Sequence, residues 1–205
     1  MFNGIVEAVG LIEKTQLNNN CQHFTISHTA SFHDLNINDS IAVNGVCLTV
    51  TDRQDNTFNV TAVPETLRLT NLKTLSVGSH VNLERPMQLN SRISGHYVQG
   101  HVDGIGEILD IQKEGDALLV RISMPASLNQ YILNKGYIAL DGMSITVIRA
   151  EENTFTVTLI PHTQKITIVN QYAVGTMINI EVDILGKYVE KILRRESSAN
   201  LQTTC

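Results

Sequence analysis

The chain repeats itself at a distance of 97 residues, and this limits its fold more than any other feature. IAVNGVCLTV (41–50) returns as IALDGMSITV (138–147) with five of ten positions identical. At the same offset NTFNVTAVPETLRLT (56–70) returns as NTFTVTLIPHTQKIT (153–167) with eight identities in fifteen, and VGSHVNLE (77–84) as VGTMINIE (174–181) with four in eight. These 17 identities in 33 positions stand against about two expected by chance at average composition. The opening GIVEAVGLI (4–12) resembles GHVDGIGEI (100–108) at an offset of 96, so one residue has been gained or lost between the blocks. Such a period is too long for a solenoid and marks two copies of a whole small domain.

Each copy reads as mostly β. HFTISH, SIAVNGVCLTVT and TFNVTAV in the first, and ALLVRISM, YIALDGMSITVI and TFTVTLI in the second, are short runs rich in Val, Ile and Thr between Gly, Asn and Asp turn residues. Asn44-Gly45 and Asp141-Gly142 suit tight hairpins, or equally a bulge or a bent barrel strand. Short helices are expected after Pro64, Pro125 and Pro161. About six strands in roughly 90 residues predicts a small closed Greek-key barrel. The fold class is therefore mainly all-β: tandem homologous six-stranded barrels over 1–96 and 97–183, a helix over 184–195 and a polar, frayed tail over 196–205. In that helix Ile184, Leu185, Tyr188, Val189, Ile192 and Leu193 make one apolar stripe. The pattern suits packing onto its own barrel as well as packing against other copies of the chain.

Fifteen basic against twenty acidic residues give a net charge of −5, which argues against nucleic acid as a partner because such binding rests on Lys and Arg neutralising phosphates. No run approaches the length of a membrane span, and MFNGIVEAVG carries no basic segment ahead of an apolar one, so a cytoplasmic protein is expected. Cys21, Cys47 and Cys205 are an odd count without a CxxC pair, which disfavours a disulfide scaffold and a structural zinc site. His23, His28 and His33 recur every five residues, matching neither a helix nor a strand face, and no metal is expected. Gly104 and Gly106 do not form GxGxxG, so no dinucleotide site is expected.

The aligned copies differ where chemistry would matter. Cys47 aligns with Ser144, Ile5 with His101, Glu65 with His162 and Asn44 with Asp141, inside a frame that keeps Thr49 with Thr146, Pro64 with Pro161 and Thr66 with Thr163. A kept frame with altered polar groups suggests two related pockets for similar molecules with different tasks, although drift could produce any single change. Cys47 by itself suits a small buried hydrophobe as well as a nucleophile. His96 and His101 stand in SGHYVQGHVDG, where glycines allow backbone to approach a ligand; they could equally be ordinary polar residues at a domain junction.

MFNGIVE, NGVCLTVT (44–51), ETLRLTNL (65–72), VNLERPM (81–87), SGHYVQGHVDG (94–104), YILNKGYIALDGMSITV (131–147), LIPHT (159–163) and NIEVDILGKYVE (179–190) together resemble the riboflavin synthase family, over essentially residues 1–195. The departures are Ser94, where the family often has glycine, and Ile166, where threonine is common. The resemblance implies a transferase that moves a four-carbon unit between two molecules of 6,7-dimethyl-8-ribityllumazine, giving riboflavin and 5-amino-6-ribitylaminouracil, with no cofactor. It further implies a homotrimer in which the N-terminal barrel of one subunit faces the C-terminal barrel of the next, so that the helix over 184–195 becomes a trimer contact. Lumazine synthase, the source of the substrate, is a further implied partner.

Carried onto this sequence, the first pocket would comprise Gly4, Ile5 and Val6, with Cys47, Leu48 and Thr49, and Thr61, Ala62, Val63, Pro64, Glu65 and Thr66. The second would comprise Gly100, His101 and Val102, with Ser144, Ile145 and Thr146, and Thr158, Leu159, Ile160, Pro161, His162 and Thr163, with Lys135 reaching in nearby. Stacking two flat substrates would supply much of the rate. His101 would transfer protons with His96 in support, Ser144 and Thr146 would orient substrate or a water, Cys47 and Ser40 would line the opposing pocket, and Asp183 is the added carboxylate. The rival readings are a non-catalytic lumazine- or flavin-binding antenna protein of the same fold, and a flavin-carrying reductase module, for whose nicotinamide domain the chain has no motif.

Overall fold

The computed structural model describes residues 1–30 and 32–202, with side chains to residue 194. The first copy supplies β1 (Ala8–Asn18), β2 (Cys21–His28), β3 (Ser40–Val43), β4 (Val46–Gln54), β5 (Thr57–Ala62) and β6 (His80–Glu84). The second supplies β7 (Gly104–Glu114), β8 (Ala117–Ser123), β9 (Tyr137–Leu140), β10 (Met143–Glu151), β11 (Thr154–Leu159) and β12 (Met177–Val182). Each set closes into an antiparallel barrel, ordered β1-β2-β5-β4-β3-β6 and, with the same connections, β7-β8-β11-β10-β9-β12.

Alternation builds the two cores. In β5 Phe58, Val60 and Ala62 turn inward, and in β11 Phe155, Val157 and Leu159 do the same. Register shifts at Ile12/Lys14 and Val50/Asp52 recur at Ile108/Asp110 and Val147/Arg149, so the strands bend at equivalent points in both barrels. Asn44-Gly45 and Asp141-Gly142 are two-residue hairpins with positive φ at all four residues, the geometry of type I′ turns.

Pro64 and Pro161 open the short helices α1 (Pro64–Leu69) and α2 (Pro161–Ile166), each followed by a 3-10 turn whose second N–H group, of Leu72 or Val169, donates to the Thr70 or Thr167 hydroxyl at 3.3 Å. The segment after Pro125 forms a 3-10 helix over Ala126–Tyr131. The C-terminal helix α3 runs Ile184–Gln202, past the expected end at residue 195, because no Gly or Pro follows Gly186 to stop it; residues 203–205, including Cys205, lie outside the described residues. Its apolar stripe does not pack onto its own barrel: Leu185, Tyr188, Val189 and Ile192 are all more than half exposed. Among the described residues no helix is long and apolar enough to cross a membrane.

The barrels meet through β6 and β12, which are buried on both faces. Val81 and Leu83 fill the first core, while Asn82 and Glu84 on the alternate face are also buried; Ile178 and Ile180, with Asn179 and Glu181, repeat this in the second. Gly45 and Gly142 lie against each other, and a Cβ on Gly45 would fall 2.5 Å from the Gly142 nitrogen. Around this contact Asn82 Nδ2 donates to the Asp141 carbonyl (2.9 Å) and Asn179 Nδ2 to the Asn44 carbonyl (2.8 Å).

The symmetry breaks at Asp141. Its carboxylate accepts from Asn71 Nδ2 (2.9 Å), Asn179 N (2.9 Å) and the Tyr172 hydroxyl (2.8 Å), and burial pushes its pKa up to about 7. A folded-state value above the unfolded one means that folding takes up a proton at mildly acidic pH, so this contribution is full below about pH 4 and is lost as pH climbs towards 7. Between pH 5 and 8, Asp141→Asn, which installs the residue type of the first copy, should lose about 2 kcal/mol less stability than the parent. Parallel pH slopes in thermal melts of the two proteins would overturn this.

Candidate active site

The segments preceding each barrel cross to the other one. Phe2 and Val98 pair as an antiparallel bridge, with N–H···O distances of 2.7 and 3.1 Å, and form a small apolar cluster with Ala42 and Ala139 in the seam. From this bridge the first segment carries Gly4 onto β10, where the Ser144 N–H donates to the Gly4 carbonyl at 2.7 Å. The second carries Gly100 onto β4, where the Cys47 N–H donates to the Gly100 carbonyl at 2.9 Å. Both glycines have φ above 70°, and a Cβ on either would fall 2.6 Å from the Cβ of Ser144 or Cys47, so only glycine allows the approach. Beyond them Val6 is buried in the core of the second barrel, and Val102 packs against that of the first.

The expected grouping is therefore exchanged. Gly4, Ile5 and Val6 belong with Ser144, Ile145 and Thr146, and Gly100, His101 and Val102 belong with Cys47, Leu48 and Thr49. The sequence grouping failed because it assigned each segment to the barrel it precedes, whereas the Phe2–Val98 bridge passes each across the seam.

Cross-strand pairing completes the polar sets. Ser40 lies opposite Thr49, and the equivalent pair in the second barrel is Tyr137 opposite Thr146. Thr49 and Thr146 are exposed, and Cys47 and Ser144 half-buried. Thr61 holds the His23 ring (2.9 Å), Ala62 and Leu159 are core residues, and Val63 and Ile160 stand exposed where the strands end and Pro64 and Pro161 begin the helices. Glu65 is exposed and paired with Arg68, His162 is exposed, and Thr66, Thr158 and Thr163 are half-buried. Lys135 is exposed with φ of 67° on the turn before β9.

The two histidines separate. His96 is buried, its Nδ1 2.7 Å from the Ser144 hydroxyl, and its ring stacks on Tyr137 with centroids 5.3 Å apart and planes 12° apart. Burial lowers its pKa, and the Asp183 carboxylate partly opposes this, so the imidazole is neutral at pH 7 and can act as acceptor or donor. Its Nε2 is buried with no protein partner among the described residues. His101 goes to the other pocket: its N–H is held by Glu181 at 2.9 Å and its side chain is exposed. The described residues contain no group of three or more His, Cys, Asp or Glu side chains able to hold a metal ion.

A model of the lumazine binding domain matches this chain twice, over residues 3–86 and 99–183. Riboflavin synthase from Bacillus subtilis is 42% identical over 204 residues, covering 100% of this chain and 95% of the relative. The enzyme of that name from Mycobacterium bovis is 46% identical over 198 residues, covering 95% and 98%. The chain belongs to the riboflavin synthase family. A solved structure of LumP complexed with riboflavin superposes with a TM-score of 0.82 at 26% identity, covering 89% of this chain and 99% of that one.

Within the riboflavin synthase frame, sequence reasoning passed over three side chains. Tyr137 stacks on His96, and Glu84 and Glu181 bind the two crossing segments. The glutamates did leave a signal: VNLE and INIE both keep an acid at the end of an apolar strand, where a carboxylate is costly without donors.

Proposed function

We propose that the two pockets bind two molecules of 6,7-dimethyl-8-ribityllumazine in distinct roles, and that a four-carbon unit passes from one to the other, giving riboflavin and 5-amino-6-ribitylaminouracil. One observation carries this reading: a single pocket backbone is built twice with different polar equipment. The first copy has Cys47, Ser40 and the imported His101; the second has Ser144, Tyr137, the imported Ile5 and the neighbouring His96. A reaction that uses one compound as both donor and acceptor needs that arrangement. Where β5 and β11 end, the exposed Val63 and Ile160 suit the ring faces of the ligand.

One lumazine must lose a proton from its C7 methyl group while the other accepts a nucleophile. His101 serves as the proton-transfer group of its pocket, and neutral His96 orients the Ser144 hydroxyl, with Asp183 biasing its charge. Holding the two rings in register supplies up to roughly 7–11 kcal/mol in favourable intramolecular cases. The rings would meet between subunits of a homotrimer. In support, the exposed stripe of α3 borders a groove of about 860 Å³ whose lining includes Tyr131, Leu133 and Val189. Tyr137 and Asp183 line the same groove, so a neighbouring copy seated there would close the His96 pocket.

The deciding assay mixes the purified protein with 6,7-dimethyl-8-ribityllumazine alone and follows both compounds by chromatography. One riboflavin should form for every two lumazines consumed. Tight binding without turnover would place the chain with non-catalytic flavin binders, and no binding would overturn the reading.

A further inference from the structure

Glu84 is the last residue of β6 and Glu181 the last but one of β12, at equivalent positions of the two barrels and 5% and 4% exposed. Among the described residues neither has a Lys or Arg within ion-pair distance. Their partners are backbone N–H groups. Glu181 Oε1 accepts from Gln99 N at 2.6 Å, and its Oε2 accepts from Gly100 N and His101 N, both at 2.9 Å. Glu84 Oε1 accepts from Asn3 N at 2.7 Å and its Oε2 from Gly4 N at 3.1 Å.

These N–H groups lie in segments that belong to no sheet at that point, so each would be left without an acceptor if the carboxylate were removed. A carboxylate is suited to the task because both oxygens only accept, so one side chain can gather successive N–H groups. Burial raises the pKa of both groups, and the N–H donors oppose the rise. The opposite edge of each gathered segment is the carbonyl that receives Ser144 N or Cys47 N from the other barrel.

We infer that Glu84 and Glu181 are positioning residues that act across the seam: Glu84, in the first barrel, sets the Ser144 pocket of the second, and Glu181, in the second, sets the Cys47 and His101 pocket of the first. The inference rests on the proposed function for its catalytic consequence, while its structural half stands on the hydrogen bonds alone. The crossing segments are narrow wedges, since Gly4 and Gly100 already touch the strands they dock on. A segment released by one side therefore loses its place on the other.

The test uses the full chain with Glu84→Gln and Glu181→Gln made separately. Amide hydrogen exchange is read at Ser144 and Cys47, and turnover of 6,7-dimethyl-8-ribityllumazine is resolved into kcat and KM. Glu84→Gln should speed exchange at Ser144 at least tenfold and leave Cys47 within twofold; Glu181→Gln should do the reverse. Each variant should lose at least tenfold in kcat/KM. Faster exchange confined to the mutated barrel, or equal at both amides, would mean the glutamates only stabilise the fold and would overturn the inference. The crossed pattern with unchanged kcat/KM would equally remove the positioning role. If the parent protein fails to turn over lumazine, the proposed function falls, and the exchange pattern still decides whether the clamps act across the seam. Should either glutamine variant not fold, Glu→Asp at the same position keeps both oxygens, draws them back by one methylene and is read in the same way.

Discussion

Replacing His101 by alanine is expected to cut riboflavin formation by about a hundredfold or more while leaving the unfolding midpoint essentially unchanged. The two halves of this result have separate causes. The structural role of residue 101 is played by its backbone, whose N–H is held by Glu181, and alanine keeps that bond. The imidazole is exposed and has no place in either core, so its removal opens no cavity. What is lost is the one imidazole that the crossing segment brings beside Cys47, a side chain able both to accept and to donate a proton. Steady-state kinetics with a thermal melt on the same sample checks both halves. A folded variant with turnover within threefold of the parent would exclude His101 from proton transfer.

Removing residues 186–205 should convert the proposed trimer into monomers and abolish turnover, with both barrels still folded. The tethers of α3 to its own subunit lie at the margin: Lys187 Nζ meets Asp103 Oδ1 at 2.5 Å, and the Tyr131 hydroxyl bonds Glu190. These are one half-buried ion pair and one hydrogen bond, and among the described residues no barrel core residue comes from beyond Val182. The apolar stripe is thus available for contact between copies. Turnover would fall with the proposed trimer because Tyr137, whose ring stacks on His96, lines the groove beside that helix. Light scattering and the lumazine assay on the shortened chain test this; a trimer that persists, or a monomer that still turns over, would sink the inter-subunit site.

The duplication, the barrel class, the hairpins and the proline-started helices were all legible in the sequence because they depend on local patterns. Val, Ile and Thr alternation, Asn-Gly and Asp-Gly pairs and Pro at helix starts act within a few residues of themselves. Which strand each leading segment docks on was not legible. Nothing in GIVEAVGLI announces that Val6 lies in a core otherwise built from residues after 107, since an apolar residue reads the same in either barrel. Asn82 and Asn179 were obscured in a similar way. In a lone barrel the alternate face of β6 would be solvated and an asparagine unremarkable; only the second barrel turns it into a buried donor. The polar composition after residue 195 does not end α3, since no residue there breaks a helix.

The crossing of the two leading segments bears on how such a chain could have arisen. A single barrel with its segment has a vacancy where a partner's valine belongs and a valine with nowhere to go, so it is incomplete until paired with a twin that makes the same exchange. Two identical barrels would satisfy each other as a symmetric dimer. Joining them in one chain keeps the exchange and releases each copy from having to match the other. Cysteine could then face serine, histidine face isoleucine and aspartate face asparagine across what had been a symmetry axis. Gene fusion here would have supplied independence rather than attachment: two sites of common descent became free to take opposite sides of one reaction.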